Sequence, residues 1–244
     1  MTWASRRITA RANRLGLWTV SLPWRVRARR EKLARFGSKY GGWLLPVDRL
    51  TPSGVCYCAG VGEDTSLEDD LLRRTDCRVW SFDPTPRAIA HVAKQALNPA
   101  RFVFVPIGLW DASETMRFFE PRDSTEVSHS LVNLQKTDSY FEAPCTTVAA
   151  LMRRFDHGAL ALLKLNIEGG EWRVLSNILE ERPDVRVLCV EFCGPTAFWR
   201  VAAMVRKLHR AGYEYLCHDR WKFTFAHTDA LRAAVPRGEH SHAA

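Results

Sequence analysis

Apolar residues along this chain fall into short runs, and between the runs they recur at helical spacing. Residues 55–59, 78–82, 102–107, 159–167 and 185–192 are mainly apolar stretches of strand length. Between them Leu67, Leu71 and Leu72, then Ile89, Val92 and Ala93, then Trp172, Val174, Leu175, Ile178 and Leu179 keep the spacing of one helix face. Pro84 and Pro86 open the second of these helices, since proline suits a first turn. A last helix is predicted over about 196–211, followed by two strand signals, 213–217 and 222–226, with almost no connection. Strands alternating with helices predict a parallel sheet covered on both faces. The tight terminal pair predicts a last strand antiparallel to its neighbour. Residues 116–119 read as an inserted β segment, 122–139 as a polar loop, and the tail from Val235 as disordered.

Composition changes this picture in one place. The 244 residues are 46% hydrophobic, enough for one full domain, and no apolar run approaches the length of a bilayer span. The net charge of +8 is uneven: residues 1–39 hold eleven Lys/Arg against Glu31 alone, so residues 40–244 carry −2. The expected organisation is a basic N-terminal extension (1–45), a catalytic domain (46–228) and a flexible tail (229–244). The arm also carries Trp3, Trp18 and Trp24. The favoured reading is a helical extension packing part of its apolar face on the domain. A second is peripheral contact with an anionic membrane, and a third is phosphate binding on nucleic acid. Pro23 and Arg25 stand where a signal peptide would have small residues, so export is disfavoured and a cytoplasmic protein is expected. Seven cysteines without a C-x-x-C pair argue against a disulfide framework and against a zinc site; no metal is expected.

The candidate chemistry lies at the carboxyl ends of the predicted strands, where open α/β sheets bind ligands. Gly60-Val61-Gly62 follows a strand and precedes a helix, so a ligand can approach the backbone and meet the helix's first amides; a plain tight turn is the alternative. Thr65 stands where a dinucleotide fingerprint needs its third glycine. Glu63 and Asp64 would repel a pyrophosphate and better suit a ligand with a sulfonium and an amino acid head. Asp83 ends the second strand and can accept hydrogen bonds from both ribose hydroxyls of an adenosine, or cap the helix that follows. Residues 159–163 lead into Lys164, Asn166, Glu168, Gly169-Gly170 and Glu171, a polar strand-to-helix turn. For Lys164 and Glu171 a local ion pair securing that turn is preferred to catalysis.

Four segments carry a specific resemblance. Cys58-Ala59-Gly60-Val61-Gly62-Glu63-Asp64, Ser81-Phe82-Asp83-Pro84-Thr85-Pro86, Gly108-Leu109-Trp110 and Leu163-Lys164-Leu165-Asn166-Ile167-Glu168-Gly169-Gly170-Glu171 resemble, in order, the FkbM family of S-adenosylmethionine-dependent methyltransferases. The match runs from about Tyr40 to Phe225. It implies a Rossmann-like class I methyltransferase fold: α/β, with a seven-stranded, mostly parallel sheet whose last strand is antiparallel, here with the N-terminal helical extension added. It implies S-adenosylmethionine as cofactor and methylation of a hydroxyl on a sugar, glycan or secondary metabolite. The cofactor's methionine end is then expected over Gly60, Gly62, Glu63 and Asp64, its ribose on Asp83, and its adenine near Phe82, Ile107, Gly108 and Leu109.

One position departs from the family: Asn166 stands where the family usually has aspartate. An amide can hydrogen-bond but cannot take a proton. Candidate bases are therefore Glu168 and His129, the latter in the polar loop, where an exposed histidine without a role is an equal reading. Methyl transfer to an aligned acceptor also draws much of its rate from positioning. The alternative is a weak or inactive methyltransferase-fold binding protein. The Pro-Cys of cytosine methylation lies before the wrong strand at Pro144-Cys145, and the Asn-Pro-Pro-aromatic segment of base-amine methylation is absent, so a nucleic-acid acceptor is disfavoured. Thr65 and the terminal strand pair oppose an NAD-dependent oxidoreductase.

Overall fold

The computed structural model describes residues 16, 19, 21–25, 31–51, 53–120, 137–193 and 196–233. The chain begins its described core with a hairpin, β1 (Leu33–Phe36) and β2 (Trp43–Pro46). It then alternates β3 (Val55–Ala59), α1 (Ser66–Arg74), β4 (Arg78–Phe82), α2 (Pro86–Val92) and β5 (Phe102–Val105). An inserted sheet follows from β6 (Gly108–Leu109), β7 (Glu114–Phe119) and β8 (Tyr140–Thr146), leading to α3 (Val148–Arg154). The alternation resumes with β9 (Leu160–Leu165), α4 (Glu171–Glu181), β10 (Val185–Glu191) and α5 (Phe198–Arg210). It closes with β11 (Tyr213–Asp219), β12 (Lys222–His227) and α6 (Thr228–Arg232).

Seven strands form the main sheet in the order β11-β12-β10-β9-β3-β4-β5. β5, β4, β3, β9 and β10 run parallel, and β12 lies antiparallel between β10 and β11. The α/β class, the seven strands and the antiparallel last strand expected from the sequence are all present. Because side chains alternate along a strand, β3 feeds two cores. Tyr57 joins Phe82, Leu163, Val174 and Phe223 on one face, while Cys56 and Cys58 join Leu67, Leu71, Val79 and Leu162 on the other. The chain fills β3, β4 and β5 outward on one side and then returns to β9 on the other side of β3. The sheet's switch point therefore lies between β3 and β9, where such folds bind ligands.

Three local expectations need correction. The third strand stops at Val105 and not at Ile107, because Pro106 has no N–H for the ladder; Gly108 and Leu109 pair instead with Cys145 and Thr146 in the inserted sheet. The second helix begins at Pro86, with Pro84 outside it, because Thr85 is the N-cap and its side chain accepts from the Ala88 amide. The domain does not start at residue 46: Phe36, Trp43 and Leu45 of the hairpin are buried in the core shared with Leu67 and Leu71.

Residues 21–25 are helical. Trp24 packs against the main core with its ring centroid 6.1 Å from that of Tyr215, in keeping with an arm that rests part of its apolar face on the domain. The other expectations for the arm, and those for most of the 122–139 loop and for the tail beyond residue 233, fall outside the described residues. Among the described residues no helix is long and apolar enough to cross a membrane.

Candidate functional site

A cavity of about 380 Å³ opens at the carboxyl ends of β3, β4 and β9. Its walls include the glycine turn Gly60–Asp64, the segment Phe82–Thr85, the Gly108–Leu109 edge and the floor of Lys164, Asn166, Ile167 and Glu168. A larger hollow, about 590 Å³, lies at the opposite edge of the sheet, where β10 begins, away from all of these segments. Of the residues predicted from sequence, Gly60, Gly62, Glu63, Asp64, Phe82, Asp83, Gly108, Leu109, Asn166 and Glu168 therefore line one cavity.

The glycine turn exists because two backbones meet there. Gly60 adopts φ +79°, and a Cβ on it would overlap the carbonyl oxygen of Asn166 and lie 2.7 Å from the carbonyl carbon. Strand ends are laced across the same point: Gly60 N donates to Phe82 O at 2.9 Å, and Asn166 N donates to Ala59 O at 3.1 Å. Lys164, buried in β9, donates from Nζ to the Gly60 carbonyl.

Asp83 fixes the other side of the turn. Its Oδ2 accepts from the amides of Val61 and Gly62, both at 2.9 Å. Its Oδ1 accepts from Thr85 N at 2.9 Å and Thr85 Oγ1 at 2.6 Å. A carboxylate offers about four lone-pair sites, and all four are directed at the protein. Asp83 lines the cavity, but its observed work is to brace the turn; the expected cap of a helix beginning at Pro84 is not what it provides.

Glu63 and Asp64 are also committed to protein partners. Glu63 pairs with Arg87 at 2.8 Å. Asp64 accepts from Ser38 Oγ at 2.6 Å and from Ser66 N at 3.0 Å. Burial alone would raise the Asp64 carboxyl, but the Ser38 and Ser66 hydrogen bonds outweigh it and hold it below the ordinary carboxylate range. Ser38 N in turn donates to Ser66 Oγ at 2.7 Å, and Gly37 N to Asp70 Oδ2 at 2.8 Å. These bonds tie the β1–β2 turn over the start of α1, and bring Tyr40 and Gly41 into the cavity wall.

Phe82, Gly108 and Leu109 line the cavity as expected, whereas Ile107 packs against the main core and is not part of the wall. Phe118 of the inserted sheet, Leu67 and Glu68 of α1, and Tyr40 were missed by the sequence reading. His129 lies outside the described residues. Asn166 lines the floor, and its Oδ1 is buried without a hydrogen-bond partner. Glu168 lines the floor with φ +41°, a left-handed conformation that a non-glycine residue holds only where its surroundings impose it.

Lys164 and Glu171 do not form the expected ion pair; each anchors backbone instead. Glu171 accepts from Gly169 N at 2.7 Å and from Cys193 N at 3.1 Å, fixing the turn that carries Glu168. Burial pushes the Glu171 carboxyl up to about 7, against the pull of those two amides. A folded pKa above the unfolded one means stability fully present below about 4.5 and lost as pH rises through about 7. The unfolding free energy of the wild type relative to Glu171→Gln is expected to fall by roughly 1.4 kcal/mol per pH unit across that window. Urea melts at pH 5, 6 and 7 check this, and a difference that does not change with pH refutes it.

Over residues 55–215 the sequence matches the family described as "Methyltransferase FkbM domain". It is 26% identical over 125 residues to "Probable methyltransferase-like protein 24" of Rattus norvegicus, a match that takes in 51% of this chain and 28% of that protein. The chain thus spans under a third of the length of that curated relative. Among solved structures, fibrillarin of Aeropyrum pernix, crystallised with natively bound S-adenosyl-L-methionine, is similar at 10% identity and a TM-score of 0.39, over 82% of this chain and 83% of that one. A TehB-like SAM-dependent methyltransferase from Corynebacterium glutamicum is similar at 14% identity and a TM-score of 0.33, over 74% and 86%. The family match covers most of the chain and includes the glycine turn, Asp83 and the Lys164–Glu171 segment. This chain belongs to the FkbM family of methyltransferases.

Proposed function

We propose that the chain transfers a methyl group to a hydroxyl of a small-molecule or glycan acceptor. The observation that carries this reading is that one cavity joins the glycine turn to a floor bearing a carboxylate, Glu168. The cavity fits the family's cofactor: Gly62 has open space where a side chain would stand, so a ligand can lie on the turn's backbone. Phe82 and Leu109 supply an apolar edge for adenine, and the glycine turn faces the rest of the molecule. When bound, S-adenosylmethionine supplies an electrophilic methyl group on a sulfonium.

The protein's part is positioning and proton removal. Asp83 and Lys164 hold the turn rigid from two sides, so that ligand alignment does not depend on a mobile loop. Glu168, fixed by the Glu171-braced turn, accepts the acceptor's hydroxyl proton, and Asn166 orients the hydroxyl by hydrogen bonding. Titration calorimetry with S-adenosylmethionine and mass spectrometry for products heavier by one methyl group test the reading. Glu168→Gln is expected to lower turnover by about 10²–10⁴-fold with cofactor affinity unchanged. Absence of cofactor binding at high micromolar ligand, or full turnover in Glu168→Gln, would sink it. Asn166, whose amide cannot take a proton, favours a second reading, a cofactor-binding protein without turnover; activity gained in Asn166→Asp would support it.

A further inference from the structure

Helix α5 has an outer face that the candidate site does not use. Its thirteen residues include no acid. Val201, Ala202, Met204, Val205 and Leu208 are buried, while Trp199, Ala203, Arg206 and Arg210 recur at i, i+4, i+7 and i+11 as one exposed stripe on the opposite side. Trp199 is 61% exposed, and Lys207 stands exposed beside the stripe. Among the described residues Arg206, Lys207 and Arg210 have no ion-pair partner, and Arg200 lies 4.8 Å from the centre of the Trp172 ring. The arm helix runs alongside: a Cβ on Gly16 would lie 2.5 Å from the Phe198 ring, and Trp24 packs on Tyr215. Leu22, two residues before Trp24 and so on the other side of that helix, is 48% exposed.

We propose that the outer face of α5, with the arm helix beside it, seats the protein on an anionic lipid bilayer. The inference is independent of the methyl acceptor. Charge supplies the attraction. Residues 40–244 carry −2 as a whole, yet α5 contributes Arg200, Arg206, Lys207 and Arg210 against no acid, and residues 1–39 add eleven Lys/Arg against Glu31. Anionic headgroups complement such a surface, and each cation held near them adds to the affinity. The exposed apolar side chains select a bilayer over a nucleic acid. Trp199 suits the headgroup level, where an indole keeps its N–H wet and buries its ring. Leu22 gains by entering acyl chains and gains nothing from a phosphate backbone. Among the described residues no helix is long and apolar enough to cross a membrane, so the contact is peripheral. α5 keeps its apolar face in the core and offers the membrane its outer stripe.

Sedimentation of the full chain with phosphatidylcholine vesicles, with and without phosphatidylserine, tests this. Binding is expected only where phosphatidylserine is present, and it should weaken as salt is raised. Arg206→Ala, Lys207→Ala and Arg210→Ala combined are expected to lower partitioning on the order of a hundredfold. Trp199→Ala is expected to lower it about tenfold. Urea midpoints should stay at the wild-type value, because these side chains are exposed. The α5 variants carry the decision: if the basic arm alone binds the membrane, they sediment as the wild type does, and the assignment is overturned. Equal binding to neutral vesicles, or binding to neither kind, overturns it as well. Binding of polyuridylate that falls with the same substitutions, while vesicles go unbound, assigns the face to RNA instead.

Discussion

Asp83→Ala is expected to abolish measurable cofactor binding and to lower the unfolding free energy by about 3 kcal/mol or more. The reason is the number of donors that one carboxylate satisfies. The Val61, Gly62 and Thr85 amides and the Thr85 hydroxyl all point at Asp83, which is 5% exposed. Each buried donor left without a partner costs about 1–3 kcal/mol, and water enters a site this enclosed poorly. The loss is also local: with Oδ2 gone, nothing holds the Val61 and Gly62 amides toward β4, and the turn is free to leave the cavity. Asp83→Asn separates the two consequences. Its amide can keep the bonds on one oxygen but turns an N–H toward donors on the other, so it should unfold earlier than wild type and later than Asp83→Ala. Chemical denaturation and calorimetry on the three proteins check the order. Asp83→Ala with wild-type stability and only a modest affinity loss would show that the carboxylate serves the ribose alone.

That outcome marks where the sequence stops being informative. Asp83 at the end of a strand, beyond a glycine turn, was legible as a site residue, yet its partners are backbone amides 21 and 22 residues away in the chain. Residue types do not reveal such a choice. The main sheet was readable because its strands are buried on both faces, so runs such as Leu160–Leu165 are apolar almost throughout. The same run contains the one signal that was undervalued: Lys164, an ammonium inside a fully buried strand, needed a partner in the fold and found Gly60. The β1–β2 hairpin was hidden by charge. Its strands are four residues each and lie among the basic residues of the arm, although Gly41-Gly42 between apolar residues was a turn signal. Pro106 likewise announced the end of β5. Glu68 was invisible for a different reason. On a helix whose apolar face is Leu67, Leu71 and Leu72 it reads as solvated, and only packing turns it inward.

Alanine at Gly60 and at Gly62 should separate the two uses of the glycine turn. Both residues hold positive φ, +79° and +59°, so each substitution carries the left-handed penalty of roughly 1–2 kcal/mol. They differ in what the new methyl meets. At Gly62 there is nothing within 4 Å, so the fold bears only that penalty, and the methyl stands in the space kept for a ligand. At Gly60 the methyl overlaps the Asn166 backbone at the point where β3 and β9 part. Backbone cannot rotate away as a side chain can, so overpacking adds about 1–3 kcal/mol and the strand ends must separate. Gly60→Ala is therefore expected to lose on the order of 2–5 kcal/mol of stability, together with cofactor binding, because Asn166 and the Lys164–Gly60 bond shift with it. Gly62→Ala is expected to lose only the roughly 1–2 kcal/mol of the left-handed penalty, while losing affinity for S-adenosylmethionine. Denaturant midpoints and calorimetric titrations of the two variants decide the matter. Equal destabilisation would remove the argument that Gly60 is set by its contact with Asn166, and undiminished affinity in Gly62→Ala would mean that no ligand lies on the turn.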